Sequence, residues 1–185
     1  MDKLKYTKDI IEKLEKWAKY GETVNAAGTR LIGHMPHIAP KAYQHIIYSP
    51  MDLHLVQEVT PQLGRALPEQ YKQFLSFANG MLLFAGDIRV FGFVPIKCDF
   101  EKHIHNYPPD IVVRNVSGRI KGLSKNAVLV GFYQEDGSYV SLEADGSAIR
   151  FDAADSGGII QKWEDFDTWL FSEIDRMTQQ KYLPS

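Results

Sequence analysis

Residues Leu67–Phe93 read LPEQYKQFLSFANGMLLFAGDIRVFGF and combine a short amphipathic helix with two apolar strands. One helical face is predicted from the i, i+3, i+4 and i+7 spacing of Tyr71, Phe74, Leu75 and Ala78. Pro68 suits the first helical turn, and Asn79-Gly80 supplies residues that tolerate a left-handed helix end. Met81–Ala85 and Ile88–Val94 follow, rich in apolar, β-branched and aromatic residues. They predict strands that pack back against the helix.

The chain before this stretch is predicted to hold two helices on either side of an irregular segment. Residues 3–20 place apolar side chains on one stripe and mix acidic with basic residues elsewhere, which favours a plain surface helix over one lying on a membrane. Residues 21–48 predict a long loop with one or two short strands, at Arg30–Ile32 and His45–Tyr48. Ser49-Pro50 is predicted to begin the next helix, which Pro61 should interrupt and restart.

The chain after this stretch is predicted to form a loop, a meander and a final helix. Residues 95–122 are polar and rich in turn residues. Asp136-Gly137 and Asp145-Gly146 then separate three apolar runs, and Asp-Gly in that position indicates a hairpin. The predicted strands are Ala127–Tyr133, Ser138–Glu143, Ser147–Phe151 and a short one at Ile159-Ile160. A helix over about Trp163–Gln179 aligns Trp163, Phe166, Leu170, Ile174 and Met177 on one face.

Composition is typical of one soluble globular domain, with 185 residues, 44% hydrophobic and 24% charged. The formal charge of −2 argues against a general nucleic-acid binder. Charge is nevertheless uneven, because residues 131–175 contain eleven acidic residues and only Arg150 and Lys162 as basic ones. This segment predicts either an ordinary solvated surface or a docking surface for a basic partner.

Cysteine usage and hydropathy indicate a cytoplasmic protein. Cys98 is the only cysteine, so no intramolecular disulfide can form. The first helix carries charges throughout and lacks the apolar core of a signal peptide. No apolar run approaches the roughly 20 residues that span a bilayer, so we expect no membrane association.

The common catalytic signatures are missing from the sequence, including phosphate-binding loops, the GxSxG elbow, HExxH and paired CxxC. His34/His37 and His103/His105 have spacings compatible with a metal, but no carboxylate or second cysteine completes either set. Cys98 is expected to pack as a small hydrophobe. We therefore expect no enzymatic activity, no cofactor and no metal.

The motifs together resemble the SUKH superfamily, which includes yeast cell-wall-synthesis regulators and many bacterial proteins. The resemblance covers about residues 49–178. It rests on the helix and cap of Leu67–Gly80, on Phe91-Gly92 and Gly131-Phe132 in strands, and on the aromatic pattern of the final helix from Trp163 to Arg176.

The resemblance implies an α+β fold, with a mainly antiparallel, possibly mixed, sheet of about five or six strands flanked by helices. We expect a single domain over 1–185, made of an N-terminal helix (1–20), an irregular insert (21–48) and a family-like core (49–178). Bacterial SUKH proteins are largely regarded as immunity proteins that neutralise secreted toxins, and they share no known catalytic centre. The matching residues are structural, so no catalytic site is carried over.

Three functions remain open at this point. The first is a cytoplasmic immunity protein that binds a basic protein toxin, with partner contacts predicted at Glu135, Asp136, Glu143 and Asp145 and anchors at Tyr139 or Trp169. The second is a regulatory scaffold that binds a host protein in cell-wall or stress signalling. The third is a small-ligand or metal-binding protein that uses the 21–48 loop with His34, His37 or Tyr48.

Overall fold

The structure is a computed structural model that describes residues 3–95, 103–120, 122–153 and 158–180. Its helices are α1 (Lys3–Glu15), α2 (Leu53–Leu63), α3 (Glu69–Phe77), α4 (Ile111–Asn115) and α5 (Phe166–Gln180), with 3₁₀ turns at Ala18–Tyr20 and Phe84–Gly86. Its strands are β1 (Glu22–Val24), β2 (Arg30–His34), β3 (Tyr43–Ile47), β4 (Met81–Leu83), β5 (Ile88–Val90), β6 (Val128–Tyr133), β7 (Tyr139–Leu142), β8 (Ala148–Phe151) and β9 (Ile159–Trp163). Cys98, predicted to be a packed hydrophobe, lies outside the described residues.

The described strands form one sheet in which spatial order follows chain order from β1 to β9, and every neighbouring pair is antiparallel. The α+β class and the antiparallel sheet are thus confirmed. The predicted count of five or six strands is wrong, because the sheet has nine in the described part of the chain. Most of the difference comes from residues 21–48, which extend the sheet by three strands rather than forming an irregular insert.

The 21–48 segment shows which strand signals can be seen in sequence. The strands predicted at Arg30–Ile32 and His45–Tyr48 correspond to β2 and β3. β1 was not predicted, because its three residues are all exposed and carry no apolar alternation. Backbone pairing to β2, rather than side-chain burial, therefore defines this edge strand.

Helix α3 confirms the prediction made from its spacing. Tyr71, Phe74 and Leu75 are buried on one face, and the Tyr71 hydroxyl donates to the carbonyl of Phe91. Gly80 follows the helix with φ of +86°, and a Cβ there would lie 2.7 Å from the carbonyl oxygen of Val90. A side chain at this position would therefore meet both backbone strain and a steric clash.

Helix α2 differs from its prediction. It begins at Leu53 with Asp52 at the N-cap position, not at Ser49, and continues without a restart through Pro61. A proline removes only one backbone hydrogen bond, and here it does so near the helix end. Gly64, three residues after Pro61 and in the left-handed conformation, ends the helix.

Two further differences lie in the second half of the chain. The short helix α4 lies within the predicted loop, where the Asp110 carboxylate caps it by accepting from the amides of Val112 and Val113. Trp163 is buried as predicted, but it belongs to β9, and α5 begins only at Phe166.

The two faces of the sheet are covered differently. The helices pack on one face, where the main core contains residues from α1, α2, α3 and α5. On the other face, strand pairing aligns a row that runs from Leu31 through Ile46 and Leu82 to Arg89 and Phe132. Solvated faces of antiparallel sheets are usually polar. This second face instead stays largely apolar and includes a small separate core.

Candidate functional site

A concave surface lined by acidic residues forms a cleft of about 730 Å³ between the start of α3, the β7–β8 turn and the start of α5. We call it the acidic cleft. Five carboxylates line it, from Glu69, Glu143, Asp145, Glu164 and Asp165.

In the described part of the chain, only two of these carboxylates form an ion pair with a cation. Lys72 Nζ lies 3.3 Å from the Glu69 carboxylate, and Lys162 Nζ lies 3.8 Å from that of Asp145. Both pairs are solvent-exposed, and exposed ion pairs are weak. Together with Arg119, whose charge interacts with that of Glu143, these lysines make three cations against five carboxylates, so the acidic cleft keeps a net negative charge.

Hydrogen bonds hold three of the carboxylates in place. The Asp145 carboxylate accepts from the amide and hydroxyl of Ser147 at 2.9 and 2.6 Å. The Glu143 carboxylate accepts from the Ser141 hydroxyl at 2.8 Å. Asp165 caps α5 by accepting from the Thr168 amide at 2.7 Å. Because these side chains are already ordered before binding, little conformational entropy would be lost when they contact a partner.

Hydrogen bonds also lower the pKa of two of these carboxylates, Asp145 and Asp165. Those from Ser147 lower the pKa of Asp145 below its usual value. Burial works against ionisation of Asp165, but hydrogen bonds from Thr168 and Gln70 outweigh it, so the pKa of Asp165 is also lowered. Both residues therefore remain charged at neutral pH.

The structure divides the predicted contact residues between two ends of the sheet. Glu143 and Asp145 line the acidic cleft. Glu135 and Asp136 lie in the β6–β7 turn, at the other end of β7, which separates the two turns by about 13 Å. Asp136 is also paired with Arg150 at 2.7 Å. A single patch containing all four carboxylates is therefore not formed.

The two predicted aromatic anchors also lie away from the acidic cleft. Tyr139 is half-buried on the second face, where its ring contacts Phe132 edge-on at 4.9 Å. Trp169 is fully buried, and its indole N–H donates to the Tyr133 hydroxyl at 2.8 Å. The prediction that Trp169 could anchor a partner is therefore wrong for the folded chain, since its ring packs in the core instead of at the edge of the helix.

Sequence reasoning missed Glu69, Glu164 and Asp165 as members of one site. Glu69 lies far from the acidic segment in sequence, and only the packing of α3 beside α5 brings it there. The side chain of Gln70 links the two helix starts, because its amide donates to Asp165 at 3.3 Å. No local motif carries this information.

The histidines do not assemble a metal site in the described part of the chain, where no group of three potential ligands lies close enough to hold an ion. His34 Nε2 lies 3.0 Å from the carbonyl of Pro40. His37 is exposed, and the buried Tyr48 donates its hydroxyl to the carbonyl of Ile104 at 2.6 Å. These residues thus have structural partners or face solvent.

Comparison with known families gives one match that covers most of the chain. The sequence profile of the SMI1 / KNR4 family (SUKH-1) matches residues 50–172. The chain belongs to this family. The match contains all the residues of the acidic cleft and begins after β3, so α1 and β1–β3 precede the SUKH-1 region. A search of curated proteins finds no significant match. Among the described helices, none is long and apolar enough to cross a membrane.

Proposed function

We propose that this SUKH-1 chain is a non-enzymatic protein-binding domain, and that it acts as an immunity protein against a secreted bacterial toxin of nuclease or deaminase type. The observation that carries the proposal is the acidic cleft, with five carboxylates, three of them held by hydrogen bonds, and only two exposed lysines paired to them in the described residues. Family membership supports it, because bacterial members are largely regarded as toxin-neutralising.

The chemistry of the acidic cleft favours a basic partner. A toxin that acts on nucleic acid carries a cationic surface to bind phosphates. Clustered carboxylates attract such a surface over several ångströms and raise the association rate more than they raise affinity. An inhibitor seated on that surface would also exclude the nucleic acid substrate.

The experiment uses the double variant Glu69→Lys/Glu164→Lys, in which both side chains are exposed and neither caps a helix or turn. We expect association with the toxin encoded beside this chain to slow by about tenfold or more, and its salt dependence to weaken. Rescue of cells that express the toxin should fall in parallel. Association is measured by stopped-flow or surface plasmon resonance over a salt series.

The matched control is Glu12→Lys/Glu58→Lys, which makes the same change in net charge at exposed positions of α1 and α2. It should retain fast association and full rescue. Equal loss in both double variants would show a nonspecific charge effect and would contradict the acidic cleft as the interface. Failure of the unmodified chain to bind or protect against the neighbouring toxin would contradict the immunity role and favour the host-binding scaffold.

A further inference from the structure

The second face of the sheet carries a groove that the proposed function does not use. It has a volume of about 490 Å³ and lies between the β2–β3 connection on one side and residues 104–109 on the other. We call it the basic groove. Its floor is the strand row that includes Ile46 and Leu82, which are only 6% and 4% exposed.

Large aliphatic side chains project into solvent at both rims of the basic groove. Ile38 on the β2–β3 connection is 63% exposed, and Ile104 on the opposite wall is 57% exposed. Isolated exposed apolar residues are ordinary. Here, however, both isoleucines line the same groove, and apolar side chains exposed together in a groove indicate an interaction site.

The charge of the basic groove is opposite to that of the acidic cleft. Lys41, Arg89 and Arg114 line it, and its described lining contains no carboxylate. Within the described residues, none of these three cations forms an ion pair with a carboxylate. Three cations that no described carboxylate pairs with form a local basic patch in a chain of net charge −2.

Aromatic rings complete one wall of the basic groove. The Tyr43 ring contacts the His105 ring edge-on at 5.7 Å. Burial, together with the charges of His103 and Lys41, lowers the pKa of His105, so at neutral pH this ring adds no charge to the basic groove. Arg89 is held in position by a 2.6 Å hydrogen bond to the Gln134 side chain and lies 5.6 Å from the Phe132 ring.

We propose that the basic groove binds an acidic peptide segment of a partner protein, in which carboxylates alternate with bulky aliphatic side chains. The carboxylates would contact Lys41, Arg89 and Arg114, and the aliphatic side chains would pack against the exposed Ile38 and Ile104. A small inorganic anion would leave the Ile38 and Ile104 side chains in water, and a neutral peptide would leave the cations unmatched. The exposed side chains at the rims are aliphatic. Because single-stranded nucleic acid is usually bound by stacking its bases on exposed aromatic rings, aliphatic rims favour a peptide over nucleic acid.

The test measures binding of the full chain to a short dye-labelled peptide that alternates glutamate and leucine, by fluorescence anisotropy at low and physiological salt. We expect saturable binding that weakens with salt. The double variant Lys41→Glu/Arg114→Glu should lower affinity roughly tenfold or more. Ile38→Ser should lower it severalfold, since it removes exposed apolar surface at the rim.

Matched controls separate the basic groove from general charge and hydrophobicity. Lys16→Glu/Lys125→Glu makes the same charge change at exposed positions elsewhere, and Ile159→Ser removes an isoleucine that is 67% exposed on β9. Both should bind the peptide as the unmodified chain does. Peptides with lysine in place of glutamate, or serine in place of leucine, should bind at least about tenfold more weakly.

Three outcomes would overturn the proposal. The first is no saturable binding of the glutamate–leucine peptide, and the second is equal loss in the groove and control variants. The third is tighter binding of a dye-labelled oligothymidylate that the Lys41→Glu/Arg114→Glu change abolishes, which would assign the surface to single-stranded nucleic acid. Because the basic groove and the acidic cleft share no residue, failure here leaves the proposed immunity function unaffected.

Discussion

Trp169→Ala is expected to lower the free energy of unfolding by about 3–5 kcal/mol, the usual cost of truncating a large buried aromatic. Trp169 has no exposed surface, and its ring packs edge-on against Phe166 at 5.4 Å. It also fills the space above Gly131, where a Cβ would lie only 2.6 Å from the indole. The surrounding sheet and helix cannot collapse into so large a cavity, so the loss should be near the top of this range. Urea unfolding at neutral pH, followed by circular dichroism, measures it.

Hydrogen bonding by the Trp169 indole makes a second, smaller contribution to the free energy of unfolding. It can be measured separately from the packing contribution. The indole N–H donates to the Tyr133 hydroxyl, and burial together with the nearby charge of the buried Glu173 carboxylate raises the pKa of Tyr133, which keeps that hydroxyl protonated. Glu173 is held in turn by the Arg176 guanidinium at 2.7 Å. Trp169→Phe keeps an aromatic ring but removes the N–H, so it should cost less than Trp169→Ala.

Gly131→Ala provides the matched test of packing. It should destabilise the unmodified chain by about 1–3 kcal/mol, because the new Cβ overlaps the indole. In the Trp169→Ala background the same change should cost much less, since the obstructing ring is gone. Additive effects of the two substitutions, or a Trp169→Ala loss below about 1 kcal/mol, would contradict this account of the core.

Local elements of the fold were predictable where one physical requirement fixes them. The buried face of α3 follows from a 3.6-residue period. The two Asp-Gly turns were correctly placed, because Gly137 and Gly146 both adopt the positive φ that these hairpins need. In each case a few adjacent residues contain the whole signal.

Features that depend on distant segments were not predictable. β1 exists because β2 offers a backbone edge, and its own side chains give no indication of it. The acidic cleft likewise needs the start of α3 to pack beside the start of α5, which places Glu69 near Glu164. The excess of acidic residues over 131–175 suggested a single acidic patch. The β6–β7 and β7–β8 turns that carry these carboxylates instead lie at opposite ends of β7.

His45 also owes its environment to tertiary structure. Its ring is fully buried between Trp17 and Phe84, with ring centroids at 5.8 and 4.9 Å. Nδ1 accepts a hydrogen bond from the Phe84 amide at 3.3 Å, so the proton of the neutral ring lies on Nε2. Nε2 has no hydrogen-bond partner among the described residues. A second proton would therefore cost the Phe84 bond and place an uncompensated charge in the core.

This geometry predicts that stability falls as the solution becomes acidic. Burial lowers the pKa of His45 from about 6.5 to about 3. Below pH 6.5 the unfolded chain binds a proton at this residue and the folded chain does not, so protonation favours unfolding. The contribution of His45 is complete above pH 6.5 and is lost progressively as the pH falls towards 3. At about 1.4 kcal/mol per pH unit, the loss is roughly 2 kcal/mol at pH 5 and roughly 4–5 kcal/mol by pH 3.

The measurement is the free energy of unfolding in urea between pH 7.5 and pH 5, compared between the unmodified chain and His45→Phe. The phenylalanine variant loses the acceptor for the Phe84 amide and should be less stable at pH 7.5, but its stability should fall about 2 kcal/mol less on acidification.

His105→Phe serves as the control. Burial and nearby positive groups also lower the pKa of His105, but it is half-exposed, so its removal should flatten the pH dependence much less. If the unmodified chain and His45→Phe lose equal stability over this interval, His45 must be protonated in the folded state. The second proton would then lie on Nδ1, which could no longer accept from the Phe84 amide, and the packing of Trp17 and Phe84 around the ring would have to open to solvate the imidazolium.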